Sequence, residues 1–185
     1  MSPCYRLLPE ASVADILDDI KDFWDWTYST LSSAVFAKWG RVSADLGRIA
    51  LSGEGAGGTL ALHSAFLWPQ ARARLVMAQH CGFDPDCRSF NPRPPDVPAE
   101  LDRLVTEYLR RIRPGTFRVS SPFPEYWDLV QALLRSGRLR ELLGRDERAH
   151  IRPNLRRAAE VPPIWIVQGA EDSIVSQAPV KVMRH

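Results

Sequence analysis

Apolar residues recur at a helical interval early in the chain. Val13, Ile16, Leu17, Ile20, Phe23, Trp24 and Leu31 share one face. Asp15, Asp18, Asp19, Asp22 and Asp25 sit mainly on the other, which predicts a solvated acidic face, favoured near the helix start by the macrodipole. Ser12-Val13-Ala14-Asp15 predicts a capping box, with Asp in the place of Glu. Ahead of it, Tyr5-Arg6-Leu7-Leu8 reads as the end of a strand stopped by Pro9. The pattern then changes period. Arg48-Ile49-Ala50-Leu51-Ser52 predicts a short buried strand, Thr59 to Phe66 a compact helix stopped near Pro69, and Arg74 to Gln79 a second apolar strand. Strand, helix and strand in that order predict a parallel βαβ unit. Residues 90–98, FNPRPPDVP, hold four prolines and form no regular element, so they read as a linker into an inserted region. Helical spacing returns from Ala99 to about His150, and Pro162 to Gly169 predicts a third strand ending in a glycine turn, with Asp172 just beyond it.

With 185 residues the chain is long enough for one domain with a real core. No apolar run reaches the roughly 18–20 residues of a membrane helix, and the first residues lack the apolar stretch of a secretory signal. The expectation is a cytoplasmic protein with no membrane span. Residues 103–157 carry 13 Arg against 6 acidic residues, but 21 of the 24 basic residues in the whole chain are Arg, so the preference is global rather than a designed patch. With no zinc-finger or RNP motif beside it, no nucleic-acid partner is expected. Cys4, Cys81 and Cys87 form no Cys-x-x-Cys pair; a Cys81–Cys87 bridge is conceivable, and reduced thiols are the simpler reading. The histidines lack the short spacing of a zinc site, so neither a metal nor a cofactor is expected.

The richest stretch is Leu51-Ser52-Gly53-Glu54-Gly55-Ala56-Gly57-Gly58. Its glycines match Gly-x-Gly-x-x-Gly, the dinucleotide-binding loop. That reading is weakened by Glu54, which would face a pyrophosphate, and by the next strand ending in Gln79-His80-Cys81 rather than in an acidic residue. The second template is the nucleophile elbow, Gly-x-Ser-x-Gly on a strand-to-helix turn. Gly53 to Gly57 fit it with Gly55 in the serine position.

Three segments decide between these templates. Tyr5-Arg6-Leu7-Leu8-Pro9-Glu10 is similar to the YRLxPE segment, and Arg48 to Gly58 to the elbow segment, of the hormone-sensitive-lipase-like carboxylesterases of the α/β-hydrolase superfamily. Pro162 to Val175 resembles the segment that carries their triad acid. The resemblance implies a partial α/β-hydrolase fold, a mostly parallel sheet flanked by helices with a helical cap insertion. It divides a single domain into residues 1–89 and 161–185 as the two parts of the hydrolase core and 90–160 as the cap. It also implies an ancestral Ser-His-Asp hydrolysis of acyl esters, with Gly55 at the nucleophile position, the Ala56 N–H as an oxyanion donor and Asp172 as the acid.

The departures bear on activity. Glycine cannot be acylated, and losing such a nucleophile costs on the order of 10⁶ in kcat. The family's oxyanion loop precedes the YRLxPE segment and its catalytic His lies further beyond the acid than His185, so the sequence reads as truncated at both ends. Whether it is an enzyme stays open. The leading expectation is a catalytically inactive homologue. The alternative is a binding or regulatory pseudoenzyme that takes a small acyl-ester ligand, or forms homo- or hetero-oligomers through open sheet edges by pairing with an intact relative. A displaced catalytic set using Ser52 or His185 is the least favoured.

Overall fold

The computed structural model describes residues 1–82 and 97–172. The proposed Cys87 partner, His185 and most of the proline-rich linker lie outside the described residues. Helix α1 (Val13–Ser29) is followed by α2 (Leu31–Trp39), β1 (Ile49–Glu54), α3 (Ala56–Leu67) and β2 (Ala73–Gln79). Helices α4 (Ala99–Arg111), α5 (Trp127–Arg135), α6 (Leu139–Leu143) and α7 (Ile151–Arg157) lead into β3 (Ile164–Val167). The strands form one parallel sheet in the order β1-β2-β3, with Ser52 opposite Met77 and Met77 opposite Trp165. This is the α/β architecture expected from the alternation of periods.

Ser12 caps α1 as predicted. Its hydroxyl accepts from the Asp15 N–H while the Asp15 carboxylate accepts from the Ser12 N–H. Two of the helix-start donors that have no partner within the helix are thereby satisfied. Ile16, Leu17, Ile20 and Trp24 are buried on the predicted apolar face. The acidic face is more than solvated, because the Arg6 guanidinium pairs with Asp15 at 3.0 Å and with Asp19 at 2.8 Å. Arg148 reaches Asp18 at 2.8 Å.

Tyr5 to Leu8 form no strand. A strand needs a neighbour for its backbone groups, and here the Leu7 N–H donates to the Arg118 carbonyl instead, at 2.8 Å. Arg118 also pairs with Glu10 at 2.8 Å and stacks 3.9 Å from the centre of the Tyr126 ring. Tyr108 donates its hydroxyl proton to Glu10. The N-terminal turn is thus bound to the α4–α5 region, whose own core is Val105, Leu129, Ala132 and Leu133.

The main core lies on one face of the sheet. Leu62 and Phe66 of α3 and Ile151 of α7 pack on Val76 and Ala78. A second cluster joins Leu17, Ile20 and Trp24 of α1 to Trp68. Among the described residues nothing covers the opposite sheet face, with Leu75 38% and Trp165 61% exposed. Parallel sheets are ordinarily covered on both faces, so this face departs from the rule.

Candidate active site at the carboxyl ends of the strands

The site is built around the turn from β1 to α3. Gly53, at the strand's end, lies so close to the first helical turn that a Cβ there would fall 2.2 Å from the Gly57 carbonyl oxygen. At Gly58 a Cβ would come within 3.0 Å of the Cys81 Cβ. These two glycines let the helix return tightly onto the sheet. Gly55 is different in kind. It has φ 54° and ψ −122°, the left-handed side of φ that ordinary residues avoid. A Cβ on it would meet no atom within 4 Å. The position is strained for a side chain and open to one, as the tip of an elbow is.

Around this tip the strand ends are in register. The Gly55 N–H donates to the Gln79 carbonyl at 2.9 Å, and the His80 N–H to the Val167 carbonyl at 2.9 Å. Gly55, His80 and the turn after β3 therefore share the carboxyl end of the sheet, where parallel α/β sheets bind ligands. Ala56 opens α3, so its N–H belongs to the first helical turn, where donors and dipole favour negative charge. Asp172 stands in the turn after β3, where Gln168 Nε2 donates to its Oδ2 at 2.8 Å. His80 Nδ1 lies 3.6 Å from the same oxygen, an electrostatic contact longer than a hydrogen bond.

The sequence did not single out His80. Asp172 lies far away in the chain, and no local spacing signals a pair made by two strand ends. The ring contacts the turn after β3, and β3 lies on the side of β2 away from β1. His80 holds φ 46°, a left-handed conformation that is uncommon for a non-glycine residue.

The other titratable groups of the core are inert by their surroundings. His63 is 3% exposed, and burial above all, reinforced by the positive field of His150, pushes its pKa down to about 4. Its Nδ1 accepts from Asn154 Nδ2 at 3.3 Å. Burial pushes the free Cys81 thiol up to about 12. Ser52 sits inside β1, opposite Met77, two register positions short of the strand's end and away from the tip. Among the described residues, no group of three or more His, Cys, Asp or Glu side chains could hold a metal ion. Among the same residues, no helix is long and apolar enough to cross a membrane.

A family model described as the alpha/beta hydrolase fold matches residues 1–106. The chain belongs to the α/β-hydrolase family. Within it, the relatives place it among the hormone-sensitive-lipase-like carboxylesterases. The probable carboxylesterase clz11 of Cochliobolus lunatus is 32% identical over 194 residues, covering 100% of this chain and 88% of the relative. The probable carboxylesterase M8 of a Phoma species is 31% identical over 185 residues, covering 95% of this chain and 58% of the relative. A crystal structure of a protein of unknown function from Staphylococcus aureus subsp. aureus Mu50 superposes with a TM-score of 0.66 at 17% identity. It covers 98% of this chain and 62% of that one, a likeness of fold alone. This α/β-hydrolase thus spans most of one curated relative and a little over half of the other.

Proposed function

We propose that this α/β-hydrolase is a carboxylesterase homologue that does not itself hydrolyse esters. One observation carries the reading. The residue at the elbow tip, where acyl transfer needs an oxygen nucleophile, is Gly55, and the space beside it is unfilled. In the parent chemistry a serine there attacks the ester carbonyl, a histidine takes its proton, and backbone N–H groups hold the oxyanion. In this chain the Ala56 N–H and Asp172 are assigned the oxyanion-donor and acid positions, and α4, α5 and α6 the cap over an acyl-ester ligand.

Hydrolysis of p-nitrophenyl butyrate by the pure protein tests this directly. The expected rate equals the buffer rate and is the same for Ser52→Ala. Turnover that disappears in Ser52→Ala would sink the proposal. Gly55→Ser is expected to remain unlabelled by a fluorophosphonate probe, since no histidine is shown within hydrogen-bond reach of the tip among the described residues and the His80 ring lies against Asp172. Labelling of Gly55→Ser that vanishes in Gly55→Ser/His80→Ala would instead give the His80–Asp172 pair a general base's role.

A second reading is a binding protein that pairs with an intact relative. The apolar surface that Leu75 and Trp165 expose on one sheet face among the described residues supports it.

A further inference from the structure

Composition alone makes the arginines a global preference, but the structure sorts them by what they meet. Every carboxylate between Arg140 and His150 already has an arginine. Glu141 accepts from Arg138 at 3.1 Å, Asp146 pairs with Arg148 at 2.9 Å and Glu147 with Arg157 at 3.0 Å. Arg140 and Arg145 belong to none of these pairs, and Arg145 forms no ion pair among the described residues.

Arg140, Arg145 and His150 line one cavity of about 480 Å³, together with Glu141, Leu143 and Gly144. Gly144 holds φ 69°, and a Cβ there would meet no atom within 4 Å. The turn at this glycine brings Arg145 to the cavity that Arg140 borders from α6. His150 is half-buried at the start of α7. Arg138, which neutralises Glu141, lies outside the lining and is anchored by a 2.8 Å hydrogen bond to Thr106 Oγ1 of α4.

The lining therefore holds two guanidiniums and an imidazole, and its one carboxylate is already neutralised. A guanidinium presents a planar fork of donors that matches carboxylate and phosphate oxygens. Two forks and an imidazole are more than the two oxygens and single charge of a carboxylate can use. A phosphate monoester offers three acceptor oxygens and close to two negative charges. The space is larger than one phosphate fills, and Leu143 adds an apolar wall.

We propose that this cavity binds the phosphate group of a small phosphomonoester, with Arg140 and Arg145 on the phosphate oxygens, His150 donating beside them and the organic part against Leu143. The site shares no residue with the elbow, so this proposal and the esterase reading fail in separate experiments.

The probe is phenyl phosphate, titrated into the full chain by calorimetry in about 0.15 M salt, where charges more than about 8 Å apart are largely screened. One saturable site is expected, and the His150 ring signals should move in the NMR spectrum as it fills. Arg140→Gln and Arg145→Gln should each weaken binding about tenfold or more, the share of one charge-assisted hydrogen bond. Both side chains are exposed, so folding is left intact. Arg110 is an exposed arginine of α4 outside this cavity, and Arg110→Gln should leave binding unchanged. Inorganic phosphate should bind more weakly for want of the contact with Leu143; equal binding would make the free ion the ligand of the same site. The proposal is overturned if phenyl phosphate does not saturate, if benzoate binds as tightly, or if the three variants lose affinity alike.

Discussion

At the residue scale the elbow rests on two glycines of opposite character. Gly53→Ala drives a Cβ into the backbone of the first α3 turn, and neither wall can yield by a rotamer change. A loss of about 3 kcal/mol or more is expected, seen as a lower urea midpoint or failure to fold. Gly55→Ala adds a Cβ to open space and carries only the backbone strain of a positive φ, about 1–3 kcal/mol. If the two variants lost equal stability, the tip would not be open as described. His63 makes a pH prediction. Its folded pKa of about 4 lies below its ordinary 6.5. The unfolded chain therefore binds the extra proton between those values, and the stability present above pH 6.5 drains away as pH falls toward 4. Comparing urea unfolding of wild type and His63→Gln at pH 7 and pH 4.5 isolates this contribution; the wild type should lose the more. The glycine turn was legible in the sequence because each glycine answers a local backbone need. The His80–Asp172 contact was not, since it exists only once β2 and β3 lie side by side.

Elements show the same division. The start of α1 is written locally, in Ser12 and Asp15, and the structure forms it as read. Ser12→Ala should cost about 1 kcal/mol in urea unfolding through loss of the side-chain cap. Tyr5 to Leu8 carry strand-like residues yet make no strand, because strand identity depends on a neighbour that alternation cannot supply. The acidic stripe of α1 looked merely solvated, since nothing local announces that Arg6 and Arg148 bind it from outside the helix. Arg118 is the comparable long-range surprise. Glu10 is 7% exposed at its side chain, and burial would raise its pKa, but hydrogen bonds from Arg118 and Tyr108 hold it below the ordinary carboxylate value. Arg118→Ala should leave that carboxylate buried and under-paired, at a cost of about 3 kcal/mol. Arg118→Ala/Glu10→Gln should recover part of the loss, and thermal melts of the two variants check it.

For the whole molecule, the bare sheet face is the feature that most shapes behaviour. Leu75 and Trp165 lie on neighbouring strands and expose apolar surface that a parallel sheet ordinarily hides. The protein is expected to self-associate through this face. Sedimentation velocity across a concentration series should show growing species for the wild type and a monomer for Leu75→Thr/Trp165→Thr. An unchanged distribution would assign association, if any, to another surface. The parallel pairing of β1 and β2 was legible from strand, helix and strand; the uncovered face was not, because it is set by which helices return to the sheet.

The register of the sheet also sets an order in time. Leu51 meets Val76 across a short helical crossover, whereas Val76 meets Ile164 only after the whole helical region has been traversed. The entropy of closing a loop rises with its length, and distant pairings wait longest. The glycine elbow is therefore expected to take shape while β3 is still unattached, with the turn that brings Asp172 beside His80 arriving last. On that order the vacant tip would precede the groups that come to surround it.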